Sequence, residues 1–116
     1  MKKVIIYLIL FFAFFISNSY AQEQITSQEA KDNIGKTIQV KGKVASIFVS
    51  QKGNTFINFD EKSPNQTFTA VLMSGVDVDI SKITEGCTLT VFGEIKEYKG
   101  KPEIILEKNQ QIINIE

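Results

Sequence analysis

The stretch from Thr37 to Val49 constrains the fold more than any other part of this chain. Ile38, Val40, Gly42 and Val44 alternate with Lys41 and Lys43, the period of two that gives a strand one apolar and one wet face. After Val44 the apolar phase slips to Ala45, Ile47 and Val49, which leaves Phe48 on the opposite side. A one-residue slip would turn every core side chain to solvent unless the strand bulges or bends at that point. Gly42 stands beside the slip, and a glycine inside a strand marks a bend or a close approach of another element. A strand that changes its buried face midway turns a barrel corner. The alternative is an open antiparallel sandwich, whose first strand would keep one face throughout.

Further strands follow. Ser50 to Asn54 is a turn, and Thr55 to Asp60 a second strand with Ile57 and Phe59 on one face and Phe56 and Asn58 on the other. Glu61 to Gln66, stopped by Pro64, is a loop before a third strand, Thr67 to Met73. Ser74 to Gly86 breaks the pattern, with Asp79 placed to cap a short helical turn across Ile80 to Ile83. Thr88 to Tyr98 is a fourth strand, Lys99-Gly100-Lys101-Pro102 a tight turn, and Glu103 to Glu107 a fifth strand. Gln111 to Ile115 extends that strand or pairs as a sixth. Ahead of all these, Thr26 and Glu29 form a Thr-x-x-Glu capping box for one helix over Ile25 to Gly35, with Ile25 and Ala30 as its hydrophobic staple. The expected fold is therefore all-β with one N-terminal helix, a five-stranded Greek-key barrel.

The beginning of the chain reads as an address. Lys2 and Lys3 precede thirteen apolar residues, Val4 to Ile16, against about 20 for a bilayer-spanning helix. Small Ser19 and Ala21 then stand at the −3 and −1 positions of a cut after Ala21. Residues 1–21 are thus expected to be a cleaved signal peptide, and residues 22–116 a single exported domain, periplasmic or secreted. An uncleaved N-terminal anchor is the alternative.

Composition removes whole classes of chemistry. The chain has no His, no Arg and no Trp, and one Cys. That leaves no imidazole base, no Ser-His or Cys-His nucleophile pair and no His-built zinc site. It also leaves no internal disulfide and no bidentate guanidinium clamp. Asp77-x-Asp79 is too sparse for a calcium loop. No metal or cofactor is expected, and the chain reads as a binding module, not an enzyme. Cys87 reads as a small buried hydrophobe, with dimerisation through its thiol in an oxidising compartment as the alternative.

Several segments resemble a known family. Ile34 to Val44 resembles the opening strand of oligonucleotide/oligosaccharide-binding (OB) domains, and Gly86 to Ile95 their fourth strand. Thr55 to Phe59, Phe68 to Leu72 and the hairpin Tyr98 to Leu106 are similar to the remaining strands of small exported bacterial OB proteins described as nucleic-acid-binding-like. The resemblance covers about residues 30–112. It implies an OB barrel and, first among ligands, nucleic acid. The fold also hosts sugars and proteins, so ligand chemistry must come from the site.

Charge and aromatics locate that site. Without Lys2 and Lys3, eleven lysines face thirteen acids, so residues 22–116 sit near −2 and are not globally basic. Asn33 to Phe59 nevertheless holds four lysines and no acid, while Asp60 to Glu94 is acidic. In an OB barrel the first and last hairpin loops flank the face of strands two and three. That places Lys52 in one loop and Lys99 and Lys101 in the other, able to meet phosphates. Phe56 and Tyr98 are the candidate stacking rings, Asn58 and Thr69 the hydrogen-bonding groups, and Phe48 could flank the same face. The expected ligand is a single-stranded nucleic acid or oligonucleotide. The alternative is an envelope protein, peptide or glycan. The bland reading of the lysines is solubility and protection of strand edges.

Overall fold

The structure is a computed structural model that describes residues 23–116. The expected signal segment lies outside the described residues. Eight strands form one sheet: β1 Gln24–Thr26, β2 Thr37–Val49, β3 Thr55–Phe59, β4 Phe68–Leu72, β5 Thr88–Glu94, β6 Lys96–Tyr98, β7 Lys101–Ile105 and β8 Ile112–Ile115. Their order is β6-β7-β4-β3-β2-β5-β8, with β1 parallel to β2 off this path.

The phase slip in β2 has the consequence its sequence demands. Its first half, Thr37 to Lys43, pairs with β5, and its second half, from Val44, with β3. The register shifts between Val44 and Ser46, a bulge at Ala45 that turns the strand from one partner to the other. Gly42 is required because a Cβ there would lie 2.2 Å from Ser27 Oγ and 2.9 Å from the Phe59 ring. The interior formed by this curl holds Phe59 and Phe68. These directly opposed residues on β3 and β4 meet edge-to-face at 5.0 Å.

Four expectations need correction. The sheet is not a five-stranded closed barrel: it has eight strands, and no ladder joins β5 to β7. The side chain of Gln111 spans that seam. Its Nε2 donates to the carbonyls of Phe92 and Ile105, each at 3.0 Å, and its Oε1 accepts from the N–H groups of Glu107 (2.7 Å) and Lys108 (2.9 Å). Gly93 lets Ile104 close in beside it, since a Cβ there would lie 2.8 Å from Ile104 Cγ2.

The N-terminal helix is shorter and tighter than expected, a 3-10 helix over Ser27–Asp32 instead of Ile25 to Gly35. Residues ahead of Ser27 are drawn into β1 by pairing with Gln39, Val40 and Lys41. Glu29 still reaches back, accepting from Thr26 N–H and Oγ1 at 3.0 Å each, and these bonds hold its carboxyl below the usual range. The proposed helical turn at Ile80 to Ile83 is an isolated turn, in which the Asp79 carboxylate accepts from Ser81 N–H at 2.9 Å. The long fourth strand is two strands, β5 and β6, broken at buried Ile95, whose N–H donates to the Lys36 carbonyl at 2.9 Å. β8 realises the optional sixth strand, and it pairs with β5.

Candidate nucleic-acid interface

The period of two on β3 sends Ile57 and Phe59 into the core and Phe56 and Asn58 to the outer face. Register carries that outer face across the sheet. Phe56 stands opposite Phe48 on β2, and Asn58 opposite Thr69 on β4. Thr69 pairs with Glu103 on β7, and Glu103 with Lys96 on β6. The β6–β7 turn is a two-residue hairpin loop. Lys99 (φ 51°) and Gly100 (φ 78°) both take the positive φ that type I′ geometry demands. Over this face lies a groove of about 390 Å³.

Six of the seven expected site residues line it: Phe56, Asn58, Thr69, Tyr98, Lys99 and Lys101. Lys52 does not. It lies in the β2–β3 turn outside the lining, so the basic run from Asn33 to Phe59 contributes no lysine to the groove. Phe48 joins the lining, and its ring stacks with Phe56 at 6.3 Å between centroids and 29° between planes. Phe48 and Tyr98 are each more than half exposed, 59% and 57%, so two rings present free faces to water. Lys99 Nζ lies 5.4 Å from the Tyr98 ring centre, a cation–π pair at the groove's rim.

The polar groups are less free than the sequence implied. Asn58 and Thr69 are buried at 3% and 5% exposure and bonded to each other, Thr69 Oγ1 donating to Asn58 Oδ1 at 3.1 Å. Asn58 Nδ2 donates on to Ser46 Oγ at 3.1 Å. They form a polar seam in the groove floor, held in place by one another. Lys101 Nζ donates to the Gln66 carbonyl at 3.1 Å, tying β7 to the β3–β4 loop and leaving two ammonium donors for a ligand.

Sequence reasoning missed Glu103 and the loop residues Ser63, Pro64 and Gln66, which also line the groove. Burial pushes the Glu103 carboxyl above its ordinary range, against the opposite pull of the Lys96 ammonium. Gln66 Oε1 is buried and has no hydrogen-bond partner among the described residues. The loop carries no periodicity by which it could have been placed. Glu103 alternates with buried Pro102 and Ile104, so the same parity that exposes Phe56 could have found it.

No family model and no curated protein matches the chain. Solved structures do match, and three of them have the following likeness. OBody AM1L10, solved bound to hen egg-white lysozyme, matches at TM-score 0.57 and 15% identity over 80% of this chain and 93% of its own. The Ifi202 HINa domain, solved with a 20-base-pair double-stranded DNA, matches at TM-score 0.52 and 17% identity over 84% of this chain. This chain spans 49% of that structure's length. A lipoprotein of Klebsiella pneumoniae subsp. pneumoniae MGH 78578, described as nucleic acid-binding, matches at TM-score 0.52 and 12% identity, covering 84% of this chain and 97% of its own. At such identities the likeness is one of architecture. The chain has an OB-type fold. Within that fold the seam between β5 and β7 is left open, and β1 and β8 pair along the two outer edges of the β2–β5 ladder.

Proposed function

We propose that this chain is an exported, non-catalytic OB module that binds single-stranded nucleic acid or an oligonucleotide in the groove over β3 and β4. One observation carries the reading: exposed rings and two ammonium groups converge on a single groove whose floor is a fixed polar seam. Bases stack on Tyr98 and on the Phe48–Phe56 pair, a contact every base can make. Lys99 and Lys101 meet phosphates, while Asn58 and Thr69 offer their remaining donor and lone pairs to a base edge. Binding is modest, because Glu103 offsets one of the two lysines. Support also comes from the DNA-bound and nucleic-acid-binding proteins that share the fold. Export rests on the N-terminal sequence pattern.

A fluorescence anisotropy titration with a labelled oligothymidylate at rising salt tests this. Each phosphate contact contributes about −0.7 to the slope of log affinity against log salt, so two lysines give about −1.4. No binding, or binding indifferent to salt, sinks the proposal. The second reading, an envelope protein, peptide or glycan in the same groove, is favoured by Glu103 and by the lysozyme-bound OBody. Retention of envelope proteins that is lost in Phe56→Ala, with no oligonucleotide binding, would select it.

A further inference from the structure

A second hollow adjoins the groove and belongs to no site described so far. It is lined by Gln28 and Lys31 of the 3-10 helix, Asn65, Gln66 and Thr67 of the β3–β4 loop, and Gly100, Lys101 and Pro102 of the β6–β7 hairpin. Its volume is about 460 Å³, comparable to the groove. Three residues, Gln66, Lys101 and Pro102, line both hollows, so the two share a border. Lys101 is fixed at that border by its bond to the Gln66 carbonyl.

Their chemistries differ in a complementary way. The groove has the aromatic rings and one carboxylate. The second hollow has no aromatic ring and no carboxylate in its lining, which is two lysines, three side-chain amides, Gly100, Pro102 and Thr67, whose hydroxyl donates to the Asp60 carboxylate. Side-chain amides beside ammonium groups suit the phosphate and sugar backbone and carry no base preference. We infer that the second hollow is a backbone subsite, in which Lys31 engages a phosphate of the same strand whose bases occupy the groove. This rests on the nucleic-acid reading above and extends it, since it gives the strand a direction across the molecule: from Phe48 and Phe56, over Lys101, to the 3-10 helix. OB folds cover about 4–16 nucleotides, and a bound strand here would need to exceed the groove to reach Lys31.

The experiment compares a short and a long labelled oligothymidylate, of about 4 and about 15 nucleotides, on the full chain and on Lys31→Gln. Lys82→Gln, which changes a lysine in neither hollow, is the control. The subsite predicts that Lys31→Gln weakens the long strand several-fold at low salt and lowers its salt slope by about 0.7, while the short strand and Lys82→Gln are unaffected. Lys31 is exposed, so loss of folding is not a competing cause, and an unchanged melting curve checks that. Equal affinities for the long strand in the wild type and Lys31→Gln, with Phe56→Ala still impaired, overturn the subsite and leave the groove standing. If neither strand binds the wild type, both readings fall together.

Discussion

Phe56 occupies a position where strand parity and function meet. Its neighbours Ile57 and Thr55 are buried, whereas its own ring is only partly buried and is backed by Phe48. Phe56→Ala removes the stacking surface without touching the core face, so oligonucleotide affinity should fall by about 1–3 kcal/mol, measured by anisotropy. Glu103 behaves differently, because its carboxyl titrates at a raised pKa in the fold. The folded chain then holds this proton more tightly than the unfolded chain. The resulting stabilisation is complete below the unfolded pKa and is lost as pH rises through the folded one. Glu103→Gln should therefore gain stability relative to wild type on going from about pH 4 to about pH 7, read as urea midpoints. It should also tighten oligonucleotide binding at neutral pH, by removing the one carboxylate in the groove. A midpoint difference that does not change with pH would contradict the burial of this group.

At the scale of elements, the molecule depends on how its strands are joined where they do not pair. Gln111 satisfies four backbone groups from β5, β7 and the segment after β7. A hydrogen bond of this kind is worth about 1 kcal/mol net, and several are lost at once. Gln111→Ala should cost about 2 kcal/mol in denaturant unfolding, and it should speed amide exchange at Glu107 and Lys108 first, because their acceptor is gone. An unchanged unfolding midpoint would mean that the seam is held by the Ile104–Gly93 contact alone. The hairpin that presents Lys99 and Lys101 was legible as a turn over Lys99 to Pro102, but its loop is only Lys99-Gly100, and Lys101 and Pro102 already belong to β7 instead of leaving that strand to begin at Glu103. The contribution of Gln111 was not legible. A glutamine in a polar stretch has no pattern, and its partners lie on strands far apart in sequence.

Across the whole molecule, charge is arranged locally on a nearly neutral background. Residues 22–116 sit near −2, yet the two adjoining hollows hold Lys31, Lys99 and Lys101 against a single carboxylate, Glu103. Attraction to a polyanion is therefore short-ranged and screened by salt. The rings need unstacked bases, so unlabelled single strands should compete for the groove far better than duplexes of equal length. Equal competition in an anisotropy assay would argue that only the lysines contribute. Among the described residues no helix is long and apolar enough to cross a membrane.

The sequence by itself determined what is local. Alternation settled which faces of β3 and of the first half of β2 are buried; the slip at Ala45 with Gly42 settled where β2 bends; and the Lys-Gly-Lys-Pro run settled that a turn follows Tyr98. These follow from the period of the backbone and the sterics of single residues, which act within a few positions. Only the tertiary structure decided the number of strands, the open seam that Gln111 crosses, and which lysines meet the rings. Lys52 was chosen for the groove on loop position and falls outside it, while Lys31 was passed over and lines the neighbouring hollow. β1 and β8 are too short to show a period, and they become strands because β2 and β5 offer them edges. A site assembled from five strands and two loops depends on register between distant segments, and register is an energy of packing that no short stretch of chain contains.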